Sequence, residues 1–270
     1  MGNFAYCLNT STIRPTPLME KIQIAGLTGF DAIEPWNDEI DEYLSDGGTF
    51  ADLRKAIEDQ DLKVASVIAL FGWTDRDPSA HHRNIEECKR KMEQAVKLGS
   101  PTIVASPPNE VVDLAFAAER YAELLRIGRQ IGVKPSMEFL GFVEGIHTLA
   151  AAKAIADGSR DPDATIVADV FHLMRGGGSI DDLLTIRGES MAIFHINDLP
   201  AEPEVLVQTD GDRVMLNEGI ADLPRVIHNL KEIGYQGPIS LELFNERLWA
   251  ADPRVVCRVG LERMRALVES

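Results

Sequence analysis

Short apolar runs alternate with longer amphipathic stretches along all 270 residues of the chain. The runs are "FAYCL" from Phe4, "DAIE" from Asp31, "VASVIAL" from Val64, "TIVAS" from Thr102, "KPSMEFL" from Lys134, "TIVADV" from Thr165, "AIFHI" from Ala192 and "ISLELF" from Ile239. Runs this short and apolar read as buried strands. Between them, segments such as "FADLRKAIEDQ", "RNIEECKRKMEQAVKLG", "LAFAAERYAELLRIGRQIG" and "LPRVIHNLKEIG" carry the helical period. Gly99, Gly132 and Gly234 stand just past three of these helices, the usual place for a left-handed cap. Eight strands alternating with eight helices over about 250 residues predict an α/β fold, a (β/α)8 TIM barrel, with 1–270 as a single domain. A doubly wound open sheet is the competitor, but no GxGxxG follows the first strand.

A barrel collects its functional groups at the C-terminal ends of its strands, where the following loops form an open mouth. Four successive runs end in a side chain that ligates metals. These are Glu138 in "SMEFLG", Asp169 in "VADVFH", His195 in "IFHINDL" and Glu242 in "SLELFN". Three carboxylates and one imidazole make an oxygen-rich set suited to one divalent metal ion, Mn, Mg or Co, with Zn also accommodated. Glu138 and Glu242 are flanked on both sides by apolar residues. A buried, unpaired carboxylate costs several kcal/mol, which a shared cation would offset. The competing reading is a set of separate, hydrogen-bonded structural side chains.

Further candidates surround this set. His172, three residues after Asp169, reads as a loop imidazole able to donate to a substrate oxygen. Arg213 lies in "TDGDRVMLNEG", a long loop with few other cations, and is placed to clamp a substrate hydroxyl or an enolate oxygen. Glu34 ends the second run and points to the same mouth, with Trp36 as a wall. Asp198 either orients a metal ligand from behind or caps a helix. His147 and His228 fall in helical patterns as surface residues, and His81 and His82 read as the polar entrance of a helix.

Composition narrows the function classes. Cys7, Cys88 and Cys257 form no CxxC pair, which argues against a disulfide scaffold or a thiolate zinc site and suits a reducing, cytoplasmic setting. A formal charge of −16 repels phosphate backbones, so nucleic acid is not an expected partner. No apolar run reaches the roughly 20 residues that span a bilayer, and the N-terminus lacks a secretory pattern, so no membrane partner is expected. The sequence is compatible with a monomer or a homo-oligomer.

The stretches "MEFLG", "VADVFH", "IFHINDL", "DGDRV" and "ISLELF", with the weaker "CLNTSTI" and "DAIEPW", run nearly the length of the chain. In them the sequence resembles the xylose isomerase-like TIM-barrel superfamily of sugar isomerases and epimerases, nearest to the inosose (2-keto-myo-inositol) isomerases. The resemblance implies a divalent metal held by Glu138, Asp169, His195 and Glu242, with His172 and Arg213 contacting a sugar or cyclitol ketone. Departures from the inosose isomerase pattern are the run Met215 to Gly219 in place of Trp-Pro-Gly, Val170 in place of Ser, and Asn197 in place of Asp.

Such a site supports proton transfer next to a carbonyl through a metal-stabilised enediolate, with Glu138 and Glu242 as the base and acid in either order. One alternative is a dehydratase of the 3-dehydroshikimate type, which expels a β-hydroxyl from the same enolate. Another is an accessory barrel whose metal is only structural. A DNA-repair nuclease of the endonuclease IV type would need more histidines at the mouth and a basic face.

Overall fold

A computed structural model describes residues 4–269, leaving Met1, Gly2, Asn3 and Ser270 outside the described residues. The strands are β1 (Ala5–Asn9), β2 (Ala32–Glu34), β3 (Lys63–Val64), β4 (Thr102–Ala105), β5 (Lys134–Glu138), β6 (Thr165–Asp169), β7 (Met191–Ile196) and β8 (Pro238–Leu241). They form one parallel sheet in the order β3-β2-β1-β8-β7-β6-β5-β4, so that the first strand pairs with the last. The predicted TIM barrel is the architecture found.

The third apolar run departs from a simple strand. Its regular ladder covers only Lys63–Val64, and Ala65 to Leu70 continue buried but irregular. This segment changes partner within a few residues. Ala65 N–H donates to Ile33 O (3.0 Å) and Ile68 N–H to Pro35 O (3.1 Å), both on the β2 side. Leu70 N–H then donates to Val104 O (2.8 Å), and Val104 N–H to Val67 O (2.9 Å), on the β4 side. Switching neighbours breaks the ladder register and closes the seam between β3 and β4.

Alternation along the strands separates two environments. Leu8, Ile33, Ile103, Met137, Ile166, Phe194 and Ile239 belong to the large core that also contains the buried helix faces. Cys7, Ala32, Val104, Val167 and Ile193 form a separate small-residue cluster on the opposite face. Two residues further along each of these strands, on the same face by the period of two, come Asn9, Glu34, Ser106, Asp169 and His195. Glu138 follows Ser136, and Glu242 follows Ser240, by the same step. The polar set is therefore one layer, lying above the barrel filling at the C-terminal ends of the strands.

Long helices cover the outer face, among them Leu18–Thr28, Pro78–Lys97, Leu114–Ile131, Leu149–Gly158, Leu223–Glu232 and Pro253–Glu269. Gly132 ends the helix Leu114–Ile131 at φ +102, a conformation that a side chain disfavours. The sixth repeat differs from the expected long helix. It has a six-residue helix, Val170–Arg175, and a 3-10 segment, Ile180–Thr185. The glycines Gly176 to Gly178 stop the helix, and a Cβ on Gly176 would come within 2.1 Å of His147 O. His147 lies in the turn before the helix Leu149–Gly158 and is half-buried, whereas His228 is helical and exposed as expected. His81 and His82 sit inside the helix Pro78–Lys97. His81 is buried against Glu123 at 3.0 Å, so it is more than a polar entrance. No helix among the described residues is long and apolar enough to cross a membrane.

Candidate active site

His195 is the centre of the polar layer and is fully buried. Its Nε2 lies 3.2 and 3.1 Å from the two oxygens of Glu34. Among the described residues its Nδ1 has no hydrogen-bond partner. That nitrogen faces three carboxylates: Glu242 Oε2 at 3.2 Å, Glu138 Oε1 at 3.7 Å and Asp169 Oδ2 at 3.8 Å. One donor atom each from Asp169, His195 and Glu242 lies within 4.8 Å of the others. Ligand bonds of roughly 2.0–2.2 Å around one ion place donors at about such separations. Glu138 stands beside this group of three rather than within it.

Each carboxylate is fixed by different neighbours. Asp169 caps the short helix through Oδ1, which accepts from His172 N–H (3.0 Å), while Oδ2 accepts from Asn197 Nδ2 (3.0 Å) and Arg213 Nη1 (2.8 Å). Glu242 accepts from Asn9 Nδ2 (2.9 Å) and Arg213 Nη1 (2.7 Å). Glu138 accepts from the Ser106 hydroxyl (3.1 Å).

Arg213 is 1% exposed, delivered by the loop after β7. It also reaches Asp210 (2.6 Å) and stands 3.1 Å from His172 Nε2. Phe171 and Phe244 lie under its guanidinium at 4.7 and 5.2 Å. His172 is buried on the short helix, not on a loop, because Asp169 starts that helix. Its Nδ1 accepts from Gly141 N–H (3.2 Å), turning Nε2 toward Arg213.

Two expected contacts fall elsewhere. Glu34 does not line an open mouth: it is fully buried behind His195, and it also accepts from Asn9 Nδ2 (3.0 Å) and the Ser240 hydroxyl (2.8 Å). Among the described residues the Asp198 side chain hydrogen-bonds to no metal-binding side chain and caps no helix. Its oxygens accept from the backbone N–H groups of Leu199 (2.8 Å), Gly219 (3.0 Å) and Ala221 (3.0 Å), tying the base of the loop that carries Arg213. The side chain that holds Asp169 from behind is Asn197, its immediate neighbour. Asn9 and Ser106 were also missed. Their signal was positional, since each is the last in-phase residue of "CLN" and "TIVAS".

Burial and charge set the protonation tendencies. Burial pushes Glu138 up to about 8, reinforced by Glu242 and Asp169 and opposed by His195. Burial likewise raises Asp169 to about 6, against the pull of Arg213. Burial acts on Glu242 in the same direction, but His195 and Arg213 outweigh it and hold that carboxyl below the usual range. Burial opposes the charged form of His195, yet Glu242 and Glu34 raise it well above its ordinary value. Burial and then Arg213 push His172 well below its own. Arg213 pairs with Asp169 and Glu242, whereas the carboxylates of Glu138 and Glu34 face hydroxyl, amide and imidazole groups among the described residues. The excess negative charge, with a ring nitrogen lacking a partner at its centre, fits a divalent cation held by carboxylate and imidazole donors.

The sequence profile of the xylose isomerase-like TIM barrel family matches residues 22–267. An inosose isomerase of Halalkalibacterium halodurans is 31% identical over 88% of this chain and 87% of its own. A solved structure of the IOLI protein with a binding zinc atom superposes with a TM-score of 0.92, at 27% identity, covering 98% of both chains. More distant is a 3-dehydroshikimate dehydratase of Pseudomonas aeruginosa, 23% identical over 93% of this chain but only 40% of its own. The chain belongs to the xylose isomerase-like TIM barrel family.

Proposed function

We propose that this protein is a divalent-metal-dependent isomerase or epimerase of a small sugar or cyclitol ketone, with an inosose as the leading substrate. The observation that carries the reading is the unpartnered Nδ1 of His195, aimed into three carboxylates at the mouth of a barrel. Its likeness to inosose isomerases supports the substrate class. Asp169, His195 and Glu242 would hold the cation, with Glu138 beside them as the fourth donor. When bound, the cation supplies Lewis-acid stabilisation of charge developing on a substrate oxygen as a neighbouring C–H proton leaves.

The remaining chemistry falls to this chain's own residues. Glu242, kept ionised by His195 and Arg213, is suited to take the proton. Glu138, held by one serine hydroxyl, is suited to return one to the adjacent carbon or the opposite face. Arg213 bridges Asp169 and Glu242 and so places a fixed positive charge beside the reacting oxygens. The His172 imidazole, kept neutral, presents Nε2 to the same space. Burial of all these groups excludes bulk water and limits proton loss to solvent. Free, buried Cys7, Cys88 and Cys257 agree with a cytoplasmic site of action.

The test is turnover of 2-keto-myo-inositol in deuterium oxide by metal-loaded protein, followed by proton NMR. The expected result is an isomeric ketone carrying deuterium next to its carbonyl. Ultraviolet absorbance of an aromatic product from 3-dehydroshikimate, without isomerisation, would transfer the assignment to a dehydratase. Absence of turnover in fully loaded protein with either compound and with a ketose panel would reduce the barrel to an accessory role.

A further inference from the structure

We infer that Glu34 is a positioning residue that fixes the His195 ring with its Nδ1, not its Nε2, as the metal donor; this rests on the metal-binding reading proposed above. Glu34 is fully buried, and its carboxylate faces three donors: the Asn9 amide (3.0 Å), the Ser240 hydroxyl (2.8 Å) and His195 Nε2 at 3.1–3.2 Å. The two carboxylate oxygens have lone pairs enough to accept from all three at once. Because its partners include Asn9 and Ser240, which have N–H and O–H groups to place, it directs the third acceptor position at the ring. That requires the ring proton on Nε2. Nδ1 is left to the cluster of Glu242, Glu138 and Asp169, whose oxygens stand 3.2, 3.7 and 3.8 Å from it.

The same residue ties the layer together sideways. Asn9 donates through Nδ2 to both Glu34 and Glu242, and accepts through Oδ1 from the Trp36 indole N–H (3.0 Å). The orientations of the imidazole, of one carboxylate of the cluster and of an aromatic side chain therefore depend on a single buried acid. Carboxylates that hold a ligating histidine from behind set its tautomer and raise its basicity, and losing one typically weakens metal binding about 10- to 100-fold. Glu34→Gln keeps the volume but introduces an NH2 group facing donors and removes the charge.

The experiment compares zinc affinity of the wild-type chain and E34Q by competition with a chromophoric chelator. It also records long-range 1H–15N spectra of the zinc-loaded wild type with labelled histidine. The expected results are zinc on Nδ1 of His195 with the proton on Nε2, and an affinity about 10- to 100-fold lower in E34Q at a similar melting temperature of the metal-free protein. Zinc on Nε2, or an unchanged affinity in folded E34Q, overturns the inference while leaving the metal-binding reading standing. If E34Q does not fold, the wild-type spectrum decides alone. Failure of the wild type itself to bind zinc overturns both.

Discussion

Glu138 is the least constrained carboxylate of the layer, held by one serine hydroxyl, whereas Glu242 is gripped by an amide and a guanidinium, with His195 Nδ1 3.2 Å away. That asymmetry makes Glu138 the side chain whose loss should disturb proton return more than geometry. Glu138→Gln is expected to lower kcat by about 10²–10⁴, the range for removing a general acid or base. Steady-state kinetics with parallel metal analysis checks this, and a kcat near wild type in metal-replete protein contradicts it. Arg213 carries a larger structural share because it is buried among Asp169, Glu242 and Asp210. Arg213→Ala leaves those acids without their cation, so the metal-free protein should lose about 3–5 kcal/mol, as when one partner of a buried ion pair is removed. Urea unfolding with and without metal measures it, and added metal should restore part of the loss. At this scale the four strand-end side chains and Arg213 were legible in the sequence, because each is a charged or imidazole group breaking an apolar run or standing alone in a polar loop. Asn9, Ser106 and Asn197 were not, since neutral residues of these types are common in every loop and only their register in the barrel distinguishes them. For Glu34 the strand end predicts the layer but not what already occupies the carboxylate.

The loop between β7 and the helix Leu223–Glu232 carries Arg213, the side chain proposed to meet the substrate. Asp198 gathers three backbone amides at its base, Val214 N–H donates to Asp198 O (2.9 Å), and Gln208 Nε2 donates to the carbonyls of Pro200 and Pro203. Asn245, which lies past the end of β8 and caps the short helix Glu246–Trp249, closes it by donating to Arg213 O (2.9 Å). Asp198→Ala would strip the acceptors from those amides, at about 1–3 kcal/mol for each donor left without a partner. The expected outcome is faster hydrogen exchange over residues 199–221 and a raised KM, with a smaller change in kcat. Unchanged exchange in that loop would show that Asp198 does not anchor it. The strand–helix rhythm predicted the barrel because parallel strands buried on both faces announce themselves as apolar runs. Two elements escaped it for physical reasons. The third strand divides its hydrogen bonds between two neighbours, and the sixth helix is cut short by glycines that make room for the His147 carbonyl. Neither cause leaves a trace in hydrophobic periodicity.

The whole molecule confines its functional charge to one end of the barrel, and the consequence is a pH-dependent metal affinity. Burial raises Asp169 to about 6 and Glu138 to about 8, so below these values each holds a proton that a cation must displace. Apparent affinity should therefore rise between about pH 6 and pH 8, by up to about tenfold per unit for each competing proton. Isothermal titration across that range checks it, and a flat profile contradicts it. The metal-free fold carries the opposite sign. Carboxyls with proton affinity raised in the folded state bind more protons there than when unfolded. Their contribution to stability consequently falls as pH rises from the ordinary carboxyl range through their folded values. Loading with metal should remove that decline, as thermal melts of both forms at pH 6 and pH 8 would show.

The central claim is that side chains from separate strands converge on one cation, and equilibrium dialysis against Zn or Mn followed by elemental analysis tests it most directly. The account predicts one ion per chain for the wild type and loss of that ion in His195→Ala. An ion content near zero for the wild type at millimolar metal, or an equal content in the variant, would contradict it.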